Sequence, residues 1–155
     1  MAATTPDLPG IDKLTPLATR YVDIDRLPWR PTRWPGIRMK VLLEDKASGL
    51  TTLLMRWDPG AALPFHEHAR IEQTYVLEGR LVDDEGEITA GNYAWRPQGS
   101  RHVARTPDGA LMIAFFLEPN RFFDDEAPKV RRAPARRRRT PARPARPRAK
   151  SKRRT

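Results

Sequence analysis

The sequence contains no cysteine and no long apolar run, and each absence excludes a class of protein. Without cysteine among its 155 residues, the chain cannot form disulfides, thiolate metal sites or a cysteine nucleophile. No stretch approaches the roughly 18 consecutive apolar residues of a membrane helix, and the N-terminus lacks a basic region followed by an apolar one. We therefore expect a cytoplasmic protein with no membrane partner.

Acidic residues are missing from the C-terminal segment, which changes the meaning of the net charge of +10. Residues 129–155 carry 14 of the 29 Lys and Arg residues and no Asp or Glu, so residues 1–128 carry 15 basic against 19 acidic residues. The acidic balance of this body argues against a folded nucleic-acid-binding domain. The tail, residues 125–155, is rich in arginine, proline and alanine, and we expect it to be disordered.

A disordered cationic segment binds polyanions, so residues 129–155 are expected to bind nucleic acid without sequence preference. The alternative is a solvated appendage with no selected role. A membrane-surface role is disfavoured because the segment has no apolar residues beyond alanine and one valine.

Short segments of alternating apolar and polar residues, separated by turn residues, predict an all-β fold between residues 20 and 124. Residues 1–19 form a lead-in, and the proline-rich residues 21–36 are expected to be extended. Residues 118–126 are expected to form one helical turn. The predicted strands are 37–43, 50–57, 72–78, 81–83, 87–89, 93–96, 102–105 and 110–117, arranged as an antiparallel barrel of two facing sheets.

All three histidines of the chain fall within this β region. On an extended strand, His66 and His68 project from the same face. Glu72 follows closely enough to return a carboxylate to that face, and His102 can approach from a neighbouring strand. Three imidazoles and one carboxylate suit Fe(II), Mn(II), Ni(II) or Zn(II). The alternative is a surface pair of histidines without a metal.

Strand alternation also identifies candidate residues of a substrate pocket. Thr74 shares the face of Glu72, and Ala104 shares the face of His102. Thr74 can then hydrogen-bond a ligand, or it is an ordinary core threonine. The aromatic residues Tyr75 and Phe115 are expected in the core.

The spacing around these residues resembles the two motifs of the cupin family. Five residues separate Gly60 from His66, three separate His68 from Glu72, and six separate Glu72 from Gly79. In the second motif Pro97, Gly99 and His102 follow Gly91, while Thr106 stands where the family has asparagine. The chain looks most like the ChrR-like cupins and is also similar to small stand-alone cupins that cleave acetylacetone.

This resemblance implies a cupin-type jelly-roll β-barrel with one divalent metal ion per chain. The implied ligands are His66, His68, Glu72 and His102, although a three-histidine site without Glu72 also occurs in such proteins. The resemblance further implies a homodimer. The sigma-factor-binding domain of ChrR is not carried over, because only about 20 residues precede the barrel.

The resulting expectation is an Fe(II)-dependent dioxygenase acting on a small, oxygen-bearing, diketone-like substrate. Its alternative is a non-catalytic cupin that senses a metal or ligand and binds nucleic acid through its basic tail. Enzyme activity is the favoured interpretation, on analogy of fold rather than on residues.

Overall fold

The computed structural model describes residues 3–123, and the predicted basic tail lies outside them. The described chain is almost entirely β-structure, which confirms the predicted fold class. Two single-turn 3-10 helices, Ile11–Lys13 and Ile24–Arg26, precede the strands. The ten strands are β1 (Arg30–Pro31), β2 (Ile37–Glu44), β3 (Thr51–Trp57), β4 (Ala62–Glu67), β5 (Glu72–Val82), β6 (Glu87–Thr89), β7 (Tyr93–Arg96), β8 (Arg101–Arg105), β9 (Ala110–Phe116) and β10 (Arg121–Phe122).

The strands form one curled antiparallel sheet in the order β1-β2-β3-β9-β5-β8-β4-β10, and β6 and β7 also pair with β5. The long strand β5 joins the two halves of this sheet. Its first part pairs with β7 and β9, and its end pairs with β6 and β8. A register shift between Val76 and Glu78 bends β5 at the junction.

Apolar side chains that alternate along the strands fill the interior of the curl. Val76 and Met112 are the centre of this core, at 0% and 2% exposure. Ile37, Met55, Trp57, Leu81 and several alanines pack around them. The chain before β1 is attached to the body: Thr4 pairs with Glu44, and the buried Lys40 Nζ donates to Ile24 O over 2.6 Å.

Three local expectations prove wrong. Residues 118–123 form no helical turn, because Arg121 and Phe122 instead pair as β10 with the edge of β4. Tyr75 and Phe115 lie on the outer face of the sheet, since the inward positions of their strands belong to their neighbours. Strand β5 also runs through Gly79 without ending there.

No helix in the described range, residues 3–123, has the length and apolar character to span a membrane.

Candidate metal centre

Strand pairing brings the three histidines together inside the curl. His66 on β4 lies directly opposite His102 on β8, and His68 follows one residue after β4 ends. His66 and His68 are 1% and 0% exposed. One ring nitrogen from each of the three lies within 4.8 Å of the others, so the three side chains could hold a metal ion.

The Nδ1 atoms of these rings face oxygen acceptors. His66 Nδ1 lies 2.8 Å from the backbone oxygen of Pro64, and His102 Nδ1 lies 2.9 Å from Asp83 Oδ2. Both Nδ1 atoms therefore carry the proton, because an oxygen acceptor requires a donor. This tautomer leaves the Nε2 lone pairs of both rings pointing into the site.

The two Nε2 atoms of His66 and His102 lie 3.2 Å apart. With both protons on Nδ1, neither Nε2 can donate to the other, so the contact between them is not a hydrogen bond. Two nitrogens about 2.1 Å from one ion, at right angles or a tetrahedral angle, lie roughly 3.0 to 3.4 Å apart. The observed spacing therefore fits a shared cation.

His68 provides a second, independent sign of a missing partner. Within residues 3–123, neither of its ring nitrogens has a hydrogen-bond partner, although the ring is fully buried. A buried polar atom without a partner costs about 1–3 kcal/mol. A metal ion at Nε2 would remove this cost, and the donor set of three imidazoles fits such an ion.

Glu72 lies beside the histidines but outside the group of mutually close donor atoms. Its Oε2 is 3.1 Å from His68 Nδ1, within ion-pair distance but outside hydrogen-bond geometry. The same oxygen accepts from Asn120 Nδ2 over 2.8 Å. Burial raises the pKa of Glu72, but the contacts with His68 and Asn120 outweigh it and hold the pKa below its ordinary value.

The sequence analysis missed the ion pair that supports His102. Asp83 Oδ2 accepts from His102 Nδ1 and also from Arg96 Nη2, at 2.6 Å. Burial raises the pKa of Asp83, but the hydrogen bond from His102 and the charge of Arg96 lower it to about 2. Arg96 Nε also donates to His102 Nε2 over 3.2 Å, so an ion at that nitrogen must displace this hydrogen bond.

A usable signal for Arg96 was present in the sequence. In the period-two strand β7, the arginine shares its face with Ala94 and precedes Pro97 of the second motif, and a charged residue at an inward position needs a partner. No sequence pattern identified Asp83, because it reaches His102 only through the bend of β5.

A cavity of about 40 Å³ adjoins the histidines. Both predicted pocket residues, Thr74 and Ala104, line it together with His66, Glu72 and His102. Thr74 Oγ1 lies 3.4 Å from Glu72 Oε1, at the limit of a hydrogen bond. The space holds a few water molecules at most.

The burial of His66 predicts an acid-sensitive metal-free protein. Burial lowers the pKa of His66 to about 4 from its ordinary value of 6.5, although the bond to Pro64 raises it. Between these values the unfolded chain binds more protons than the folded one, so the free energy of unfolding falls as pH is lowered from 6.5 to 4. Urea unfolding of metal-free protein across this range measures the loss.

The control for this prediction is His66→Gln, which removes the titrating ring. We expect its stability to change less over the same pH range. An identical slope in the variant and the unchanged protein would show that His66 is not the group responsible.

Comparison with known proteins identifies a family and a fold. A family model described as ChrR Cupin-like domain matches residues 17–120. No curated protein matches the chain at a significant level.

Several solved structures share the fold. A provisionally named acetylacetone dioxygenase of Methylibium petroleiphilum superposes with a TM-score of 0.65 at 21% identity, covering 74% of this chain and 88% of its own. An acetylacetone dioxygenase of Acinetobacter johnsonii gives 0.63 at 21% identity over 72% and 82% of the two chains. The anti-sigma ChrR of Rhodobacter sphaeroides, solved with SigE, gives 0.53 at 23% identity over 60% and 51%.

Proposed function

The chain belongs to the ChrR cupin-like family, and from that premise we propose that it is a mononuclear metal enzyme. In this proposal the metal is Fe(II), with Zn(II), Mn(II) or Ni(II) as alternatives, and the reaction is dioxygenation of a small, diketone-like substrate. The observation that supports the metal is the inward set of imidazoles: the Nε2 atoms of His66 and His102 lie 3.2 Å apart, and the buried His68 has no hydrogen-bond partner within residues 3–123.

We propose that His66, His68 and His102 hold the ion, and that Glu72 orients His68 through its Nδ1 atom. An oxygen lies near Nδ1 of each ring: the Pro64 oxygen and the Asp83 carboxylate are hydrogen-bonded to His66 and His102, and the Glu72 carboxylate is at ion-pair distance from His68. Such partners fix the tautomer and orientation of metal-binding histidines. Glu72 as a fourth ligand is the alternative within the same proposal.

Bound Fe(II) supplies Lewis acidity, redox capacity and open positions for substrate and oxygen. The protein residues do the rest. The apolar walls of Met55, Leu63 and Phe116 limit the water that reaches the site. Arg96 pairs with Asp83, whose carboxylate accepts from His102 Nδ1, and so helps to fix the ring of His102.

The choice of reaction rests on the two relatives named as acetylacetone dioxygenases. Their identity to this chain is 21%, and the same fold serves many activities. The reaction is therefore tested on the protein itself. Untagged protein is purified anaerobically, its metal content is measured, and oxygen uptake is followed after adding Fe(II) and a panel of β-diketones.

One equivalent of iron with substrate-dependent oxygen uptake is the expected result. Tightly bound zinc without uptake would overturn the dioxygenase proposal and leave the metal site. Protein that binds none of the four metals would overturn both.

The orienting role of Asp83 gives a prediction for metal affinity. Asp83→Asn removes the negative charge from the group that accepts the hydrogen bond of His102 Nδ1. We expect the affinity for Zn(II) or Fe(II) to fall about 10- to 100-fold. Asp84→Asn is the matched control, since Asp84 is exposed and pairs with Arg105 over 3.2 Å. Competition with a chelator of known affinity measures both variants, and equal affinities would contradict the assigned role.

A second candidate function is a sensor without catalysis, favoured by the similarity to the anti-sigma ChrR. In this case residues 129–155 bind nucleic acid, and the state of the metal site alters that binding. His66→Ala with His68→Ala would then change nucleic-acid affinity, whereas an enzyme would lose turnover. Deleting residues 129–155 should leave the turnover of an enzyme intact.

A further inference from the structure

A second, larger cavity adjoins the metal centre. Its volume is about 430 Å³, within the range of about 300–1,000 Å³ typical of ligand pockets. Met55, Leu63 and Phe116 line both this cavity and the small one at the histidines. Phe122 forms a further part of the boundary, since its ring centroid is 5.3 Å from that of His66. The larger space is therefore next to the small cavity at the histidines.

The walls of this cavity are mainly apolar, and most of its polar groups are already engaged. Thr32 Oγ1 contacts the backbone oxygens of Trp34 and Ile37 at 3.2 and 3.0 Å. Thr51 Oγ1 donates to Gly49 O at 3.3 Å. A strongly hydrated ligand would lose its water without replacement in such a site. The occupant should have an apolar body.

Arg33 brings a positive charge to the rim of this cavity. Its guanidinium carbon lies 4.6 Å from the ring centroid of Trp34 and 4.9 Å from that of Phe122. The nearby Arg30 and Arg38 pair with Asp7 and Asp58. Within residues 3–123, Arg33 has no carboxylate at ion-pair distance. Its charge thus lies against a pair of rings whose centroids are 4.3 Å apart, and it is available to an anion.

Asn120 connects the cavity to the metal centre. Its Nδ2 donates to Glu72 Oε2, and the reverse amide orientation would set two oxygens against each other. Its Oδ1 is buried and, among the described residues, has no partner. This oxygen can only accept hydrogen bonds, so the anionic end of an occupant would lie away from it.

We propose that this cavity binds a small organic anion with an apolar body, whose anionic oxygen pairs with Arg33. An enolate or a carboxylate provides the same chemistry. The inference names the substrate class of the proposed enzyme, and so rests on that function for its catalytic meaning. Binding itself requires no metal, which allows the two proposals to fail separately.

Benzoate and benzyl alcohol are suitable probes, because they share an apolar ring and differ in charge. Calorimetric titration of the full-length, metal-free protein should give at least about tenfold tighter binding of benzoate, equal to about 1.4 kcal/mol. Arg33→Met should remove this preference and leave the affinity for benzyl alcohol unchanged. Arg38→Met, an exposed arginine outside the cavity, is the matched control and should bind like the unchanged protein.

Two further measurements locate the probe. Met39→Trp, which fills the cavity, should weaken the binding of both probes. Thermal unfolding checks that this variant is folded. Added salt should weaken the binding of benzoate to the unchanged protein and leave the binding of benzyl alcohol unaffected.

Several results would overturn the proposal: no measurable binding, equal affinity for the two probes, or no effect of Arg33→Met. The residues directly after Phe123 are Asp124, Asp125 and Glu126, which could themselves pair with Arg33. A variant with Asp124→Asn, Asp125→Asn and Glu126→Gln tests this. If benzoate binds only to that variant, Arg33 pairs with these acids in the unchanged protein, and the proposed ligand site is refuted. Benzoate binding without oxygen uptake would support the proposed anion site and refute the proposed dioxygenase activity.

Discussion

Replacing His68 by alanine should lower the affinity for Zn(II) or Fe(II) by at least about 100-fold. The ring is fully buried and supplies one of the three clustered nitrogens. Loss of a ligand should exceed the roughly 10- to 100-fold cost of losing an outer partner of one. Chelator competition measures the affinity.

Thermal unfolding gives a second readout of the same change. Metal at 100 times its dissociation constant should stabilise the unchanged protein by about 2.7 kcal/mol, and His68→Ala should show almost none of this gain. A purely structural histidine would change the stability of the metal-free protein but leave the gain intact.

The control for this variant is Glu67→Gln, one residue away on the opposite face of β4. Glu67 pairs with Arg101 and Arg121 at the surface, so its replacement should leave metal affinity unchanged. Stoichiometric metal in His68→Ala at unchanged affinity would contradict the three-histidine site.

Replacing Gly79 by alanine should destabilise the protein by about 4 kcal/mol or more. A Cβ atom at this position would lie 2.0 Å from the backbone oxygen of Gly109. Gly79 and Ala110 are paired in adjacent strands, so backbone would have to move. The φ angle of +71° adds strain for any side chain. With total stability typically about 5–15 kcal/mol, much of the variant would unfold easily in urea.

Gly91→Ala separates the two contributions to this loss. Gly91 has a similar φ of +80°, but nothing lies within 4 Å of its added Cβ. Its replacement should therefore cost only the conformational strain, about 1–2 kcal/mol. Equal losses at the two glycines would show that the close approach to Gly109 is relieved by small shifts.

The position of Gly79 also matters for the metal centre. The residue lies where β5 passes from β9 to β6 and β8. Beyond this point the chain carries Asp83 to His102. A milder substitution that tilts β5 would therefore reduce metal affinity as well as stability.

The amino-acid sequence by itself determined the fold class and the family. Period-two alternation placed most strands within a residue or two, because one face of each is buried. Residues 118–123, which belong to a segment without alternation, were misassigned as part of a helical turn. Tyr75 and Phe115 were wrongly predicted to lie in the core, because that prediction followed their apolar character and not their position in the alternation. The domain boundaries, the homodimer and the location in the cytoplasm stay predictions.

Only the tertiary structure decided how the candidate site is arranged. His66 and His102 are far apart in sequence, and the antiparallel register of β4 and β8 sets their nitrogens at ion-sharing distance. Asp83 and Asn120 reach the site through a strand bend and a terminal strand that leave no periodic signal. Spacing along the chain can identify candidate ligands, but the hydrogen-bond acceptors that fix their tautomers depend on long-range packing.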